Sequence, residues 1–514
     1  KKSKKYWLIP IILTTTEFES ATTEYLNLFS NLKNINVKLS NGKLVVPTRR
    51  IIISTNVAET GITIDTLKYV IISGWKFNVS FAPHINTNII GLNPITQSEI
   101  KQQKGRVGRV GPGHVYYTFT KNTYNKLNKL MHPVIIKSEI TLDLFDIIKF
   151  QTETEIKYYE NITSEEVKKL KKLNIYPPDF ISQKKYFDIK QINLLSLPSS
   201  DNLIFSLEKL HILGFIDHNN NPTLTGLLSS SFRKIRIENI KMILSGYHYG
   251  CNIMDLIIIA AFLELTPTRS HILMNKKYIP QNIFKINKNL INIKSKKSIK
   301  ELQYEKTYLY NKFLIQDDCI EYIFIWEAFL YMLENITIKY NIKNQKSKIK
   351  NQYSLEIIEW CKNSNLNYDK LLIVAEKIDE IREFIILARL NPFSNGLDLP
   401  LGSYSLCKII KNNIYEGINE IIKIKKCIYE GYKLNICSWN NIINKYVLNY
   451  KNIPIEIKND LIKFLPSKES IKQFNPKKII ITSFVCKKLP NYNNYIFVNN
   501  GSISIIDGFF DIDL

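Results

Sequence analysis

Apolar positions recur along this chain at strand spacing first, at helical spacing through the middle and at strand spacing again near the end. Trp7 to Leu13 reads as a strand, Glu17 to Leu32 as a helix and Asn41-Gly42 as a turn. The run Ile51-Ile-Ile53 predicts a buried parallel strand with Ser54 to Glu59 as its polar C-terminal end, and Tyr69 to Ile72 predicts the next strand. Trp75, Phe77, Val79 and Phe81 alternate at period two ahead of Pro83, as on one arm of a hairpin.

From about 126 to 235 the spacing turns helical. Leu203, Ile204, Leu207 and Leu210 form a stripe on one helix face, and Gly214 stops that helix. Helical spacing continues from 236 to about 400, with a lysine- and asparagine-rich stretch at 268–312 whose periodicity is weak. Strand-like runs return at Ile479 to Phe484, Tyr495 to Val498 and Ser502 to Ile506, with Asn500-Gly501 as a turn. The order predicts a multidomain fold, α/β then α then β, divided as 1–125, 126–235, 236–400 and 401–514. No internal repeat is present.

Composition narrows the class. With 514 residues, 45% hydrophobic and 23% charged, the chain is long enough for several domains and globular rather than disordered. No apolar run approaches the ~18 residues a membrane span needs; the greasiest, Ile257 to Leu263, is too short, and no membrane partner is expected. Lys1-Lys-Ser-Lys-Lys does not resemble a secretory signal, and a chain opening on Lys1 rather than methionine reads as a piece of something longer. Seven scattered cysteines without a CxxC pair read as reduced core thiols of a cytosolic protein, with no metal site among them. A net charge of +24 fits a polyanionic partner. It fits equally a composition rich in Ile, Asn, Lys and Tyr, which an AT-rich coding sequence favours, and the runs 294–300 and 343–350 read as solvated loops.

Two motifs carry chemistry: Ser54-Thr-Asn-Val-Ala-Glu-Thr-Gly-Ile-Thr-Ile-Asp65 and Gln102-Gln-Lys-Gly-Arg-Val-Gly-Arg109. Arg106 and Arg109, three residues apart, would share one helix face and reach one pocket. Gly105 and Gly108 leave room for a close approach, as a phosphate-facing surface needs. Guanidinium forks match the oxygens of a transferring phosphoryl group. Glycine and arginine also alternate in RNA-binding tails and basic loops, so the strand context is what favours the phosphate reading.

The two motifs resemble motifs V and VI of the DEAH-box/RHA group of superfamily-2 RNA helicases, and Gly105-Arg-Val-Gly-Arg-Val-Gly-Pro-Gly113 is most similar to the helicases of large cytoplasmic DNA viruses, the poxvirus nucleoside triphosphatase II type among them. The resemblance implies a second RecA-like domain in which Gln102, Arg106 and Arg109 face the γ-phosphate and its attacking water. Gly61, Thr63, Asp65 and Gly105 would reach the nucleotide, and Thr55 and Asn56 would hold the RNA backbone. At one position the chain departs from the pattern: Gln103 stands where the family usually has arginine, with Lys104 beside it.

Elsewhere, Pro198-Ser199, His211 to Asp217 and Leu224-Thr-Gly226 resemble the family's winged helix. Lys241 to Leu244, Tyr247 to Cys251, Asp318 to Trp326 and Trp360-Cys361 resemble its helical bundle, the ratchet. Lys425 to Tyr432 resembles the way into an OB-like barrel, although Leu465-Pro-Ser467 stands where the family has His-Pro-Ser-Ser. Tyr492 and Tyr495 read as ordinary surface tyrosines rather than base-stacking ones. By the resemblance the hairpin with Trp75 would project toward RNA, while the residues themselves read equally well as aromatics that cover the sheet.

No GxxxxGK[ST] loop and no Asp-Glu-x-His occurs in the sequence. The resemblance therefore implies the C-terminal portion of an ATP-dependent 3′-to-5′ RNA helicase, acting in the cytoplasm, virion or viral factory. Its ATP and Mg2+ would be held mainly by an N-terminal RecA-like half on the same or a separate chain. The alternative is a non-catalytic RNA-binding protein or subunit that has lost the first motor domain.

Overall fold

A computed structural model describes residues 8–13, 37–38, 42–55, 59, 67–107, 111–157, 180–192, 194–232, 234–265, 317–339, 354–364, 366–387, 406, 409–410, 414–443, 445–450, 453–455, 477–488, 495–499 and 502–506. The chain divides into two compact units, one of Lys1–Ser80 with Ile90–Lys137, the other of Phe81–Ile89 with Ser138–Leu514. The predicted segments Glu17 to Leu32, 268–312 and Leu465 to Ser467, and Tyr492, lie outside the described residues.

In the first unit, β1 (Leu8–Leu13) pairs in parallel with β4 (Arg49–Ser54), and β2 (Val37–Lys38) pairs with β3 (Leu44–Val45). β5 (Tyr69–Ile72) pairs in parallel with β8 (His114–Tyr117). The predicted strand at Ile51 to Ile53 is parallel but not buried, since Ile51 and Ile53 are 48% and 57% exposed. A parallel strand is closed on both faces only when cover lies on each, and among the described residues β4 is paired with β1 alone. On β5 the alternation is cleaner: Ile72 is buried with Ile95 and Ile100 in a small core, while Tyr69 and Ile71 face outward.

The aromatic row forms the predicted hairpin arm. β6 (Trp75–Ala82) turns through a single 3-10 turn at Pro83–Ile85 into β7 (Thr87–Pro94). Trp75, Phe77 and Val79 project outward rather than cover a sheet, and Lys76 on the opposite face turns inward. The tip belongs to the second unit, where Phe81 packs on Phe205 with ring centres 5.3 Å apart and Asn86 Nδ2 donates to Asn435 Oδ1.

The second unit is mostly helical, as the spacing predicts. α3 (Thr141–Thr152), α4 (Ser200–Ile212) and α5 (Leu224–Ser229) precede the pair α6 (Ile237–Tyr249) and α7 (Ile253–Leu265). α8 (Asp318–Lys339), α9 (Ser354–Asn363), α10 (Tyr368–Leu387) and α11 (Ile414–Gly431) follow. The greasy run at Ile257 to Leu263 is the middle of α7, buried on every side, so it serves as the axis of the bundle. Phe262 stacks on Tyr322 of α8 at 4.7 Å. None of the described helices is long and apolar enough to cross a membrane.

α4 differs from its predicted stripe. Gly214, at φ +71°, does end the helix, but the buried face carries Asn202, Phe205, Ser206, Lys209 and Leu210, while Ile204 is exposed. Lys209 goes inward because Glu139 and Glu238 each meet its Nζ at 2.5 Å. Burial alone would lower its pKa; the two carboxylates outweigh that and hold it above the ordinary lysine range.

The strands of the last part form an open antiparallel sheet in the order β13 (Ile453–Ile455), β12 (Lys445–Leu448), β11 (Ile436–Asn440), β14 (Lys478–Ile481), β17 (Ile503–Ile505). β15 (Phe484–Lys488) and β16 (Tyr495–Asn499) pair with each other as an antiparallel hairpin. Among the described residues the expected barrel is therefore not closed. Cys437, Tyr446, Ile479 and Ile481 fill the inner face of the five-stranded sheet, as alternation in β11, β12 and β14 requires.

Candidate functional site

The second motif rides on α1 (Gln97–Lys104), a helix fixed at both ends by its own sequence. At the start, Thr96 Oγ1 accepts from the Glu99 N–H and Glu99 Oε2 accepts from the Thr96 N–H at 2.8 Å, a reciprocal box that satisfies two otherwise orphaned donors. Gln97 Nε2 donates to the carbonyls of Tyr124 and Leu127, tying the helix to the end of α2 (Lys121–Lys126). Ile100 points down into the Ile72–Ile95 core.

Lys76 of the hairpin pairs with the buried Glu99 carboxylate. Burial alone would raise the Glu99 pKa; hydrogen bonds from Lys76 and from the Thr96 N–H and hydroxyl outweigh it and hold the group below the ordinary carboxylate range. A depressed folded-state pKa stabilises above the unfolded value of ~4.3 and loses that contribution as pH falls through the folded one. Glu99→Gln is accordingly expected to destabilise the first unit by about 1 kcal/mol at pH 7. It should also flatten the unit's loss of stability below about pH 4. Urea denaturation at pH 7 and at pH 3 checks both, and an equal wild-type-to-mutant difference at the two values would refute it.

α1 ends before the arginines. Gly105, a poor helix former, caps it, with its N–H on the Lys101 carbonyl at 2.9 Å, and Arg106 and Val107 follow in a tighter turn. The expectation that one helix face presents Arg106 and Arg109 together is corrected to this extent: Arg106 lies in a turn. Among the described residues only the helix's own carbonyls approach Gly105; a close approach is at Gly113, where a Cβ would stand 2.2 Å from Val107 Cγ2 and 3.1 Å from the Lys68 carbonyl. Val107 thus folds back over Gly113 as the chain enters β8, where the His114 N–H donates to Lys68 at 2.8 Å.

The two motifs meet at Glu59. The Gln103 side-chain amide donates to the Glu59 carboxylate, and Arg106 Nη2 donates to the Glu59 backbone carbonyl. Arg106 and Gln103 are half-buried, whereas Gln102 is exposed on the outer face of α1. Thr55 is exposed at the end of β4, its carbonyl accepting from Ser54 Oγ at 2.8 Å. Asn56, Gly61, Thr63, Asp65 and Arg109 lie outside the described residues. Residue spacing did not single out Glu59; its only signal was that it ends the polar stretch after a strand, where ligand loops of open α/β sheets arise.

Residues 27–111 match the helicase conserved C-terminal domain family. The chain is 29% identical over 416 residues to a protein of a Malawi tick isolate of African swine fever virus, named as a candidate RNA helicase, covering 80% of this chain and 38% of that protein. Its counterpart from a Kenyan pig isolate is 27% identical over 495 residues, 95% of this chain and 45% of the relative. A protein of Acanthamoeba polyphaga mimivirus, named as a candidate ATP-dependent RNA helicase, is 24% identical over 335 residues, 64% of this chain and 42% of its own length. The chain thus spans less than half the length of these relatives.

Proposed function

We propose that this chain, which matches a helicase C-terminal domain family over residues 27–111 and is similar to proteins of large DNA viruses, is the C-terminal portion of an ATP-dependent, DEAH-type RNA helicase moving 3′ to 5′. One observation carries the proposal: within the family match, Gln103 and Arg106 of the second motif both bond Glu59 of the first, so the two motifs form one constellation after β4. In this reading they are motifs V and VI. Gln102, Arg106 and Arg109 act on the γ-phosphate and the attacking water, and Gly61, Thr63, Asp65 and Gly105 border the nucleotide. Thr55 and Asn56 grip the RNA backbone.

A guanidinium anchored at one Nη by a backbone carbonyl suits the oxygens of a triphosphate, so the donor set fits ATP. ATP supplies the phosphoryl group, and Mg2+ neutralises its charge. The residues of this chain orient the water, donate to the developing charge and hold RNA, while a second RecA-like lobe grips the rest of the nucleotide. Because RNA and nucleotide would both sit between lobes, each affinity depends on the other ligand. The finer divisions, RecA-like 1–125, winged helix 126–235, helical bundle 236–400 and OB-like 401–514, belong to the same proposal, as does a cytoplasmic, virion or viral-factory location. The helix–turn–helix around Gly214 and the antiparallel sheet after α11 support it.

The test supplies the missing lobe. The 514 residues alone are expected to hydrolyse no ATP, and the chain joined to or mixed with a phosphate-loop-bearing N-terminal half is expected to do so with RNA stimulation. RNA binding without turnover in the reconstituted protein would refute the helicase reading and favour a non-catalytic RNA-binding protein.

A further inference from the structure

We propose that Glu59 is the positioning residue that links the two motifs and fixes the direction of the Arg106 guanidinium. The inference rests on the helicase reading and gives a task to a residue that reading leaves without one. Glu59 engages the second motif twice, with its carboxylate on the Gln103 amide and its backbone carbonyl on Arg106 Nη2. Gln103 is a rigid anchor, because the Thr96–Glu99 box and the burial of Ile100 fix α1 two turns long. A side chain gripped by that anchor restrains its own peptide, only two methylenes away. The carbonyl that receives Arg106 is then held in place.

The consequence is mechanical. A shift of the Glu59 peptide would carry the Arg106 guanidinium with it. Thr55, assigned to RNA in the proposed reading, is four residues before Glu59 in sequence. Glutamine at 103 makes the grip a neutral amide on a carboxylate, and an amide oxygen at 59 would accept the same bond. Glu59→Gln should therefore keep the linkage, and Glu59→Ala should lose it.

Two measurements test this. In the full chain without ATP, phenylglyoxal modification of Arg106 is followed by peptide mass spectrometry. Loss of one restraining hydrogen bond in Glu59→Ala or Gln103→Ala is expected to speed it about five-fold, with Glu59→Gln at the wild-type rate. Unchanged hydrogen exchange in α1 separates this from unfolding. In a protein carrying both lobes, Glu59→Ala is expected to lower kcat for RNA-stimulated ATP hydrolysis about ten-fold and to leave KM for ATP within about two-fold, with Glu59→Gln restoring kcat.

An unchanged modification rate in Glu59→Ala overturns the proposal whatever the turnover. Faster modification with kcat unaffected overturns it as well. Faster modification in a two-lobe protein whose wild type hydrolyses nothing sinks the helicase reading and leaves the Glu59 linkage standing.

Discussion

Arg106→Ala, made in a protein that carries both motor lobes, is expected to slow RNA-stimulated ATP hydrolysis by about 10³–10⁵-fold, the range of an arginine that stabilises charge only in the transition state. Arg109→Ala should do the same. The structure adds a sharper expectation for the conservative variant. Arg106 is already bonded through Nη2 to the Glu59 carbonyl, and only a planar fork can hold that bond and still present donors to a phosphoryl oxygen. A lysine ammonium is a point charge on a flexible stem. Arg106→Lys is therefore expected to fall within about ten-fold of Arg106→Ala rather than of the wild type. Phosphate release at saturating ATP and RNA measures the effect. RNA affinity in the absence of nucleotide should be untouched, because Thr55 and its neighbours are unchanged. A loss of less than ten-fold in Arg106→Ala would remove this side chain from the catalytic set.

The order of elements was legible because it depends on local spacing. The strands at Ile51 and Tyr69, the hairpin after Trp75, the helix stopped at Gly214, the helical run beyond 236 and the strands near the end all occur where periodicity puts them. Contacts made over long separations were not legible. On α4 the apolar stripe does not foretell that Lys209 is buried, because Glu139 and Glu238, seventy and twenty-nine positions away in sequence, draw it inside. Local spacing holds no record of such partners. The same applies to Glu59, forty-four and forty-seven residues from its partners Gln103 and Arg106. The three-residue spacing of Arg106 and Arg109 suits a shared helix face, but Gly105 ends the helix before Arg106. The close approach that a glycine permits is found at Gly113, eight residues beyond Gly105.

A long-range pair of the same kind underlies the largest expected loss of stability. Asp317 and Lys425 lie 108 positions apart and form a buried ion pair at 2.6 Å, with 1% and 2% of their side chains exposed. Asp317 also starts α8, accepting from the N–H groups of Cys319 and Ile320 at 3.0 and 3.1 Å, and it accepts from Ser504 Oγ of β17 at 2.7 Å. One carboxylate thus satisfies a helix terminus, a lysine of α11 and a strand of the last sheet. Asp317→Ala strips all three and leaves the Lys425 ammonium in an interior that offers it no solvent. The expected cost is about 3–5 kcal/mol, the penalty for removing one partner of a buried pair. Replacing both partners tests the cause, because Asp317→Asn with Lys425→Met keeps a cap for α8 and removes the buried ammonium. That double variant should return to within about 1–2 kcal/mol of the wild type. Native-state hydrogen exchange in α8, read beside the fluorescence of the buried Trp326 on the same helix, gives the free energy locally. A single variant that loses less than about 1 kcal/mol would mean that water reaches Lys425 and that the pair is not closed in solution.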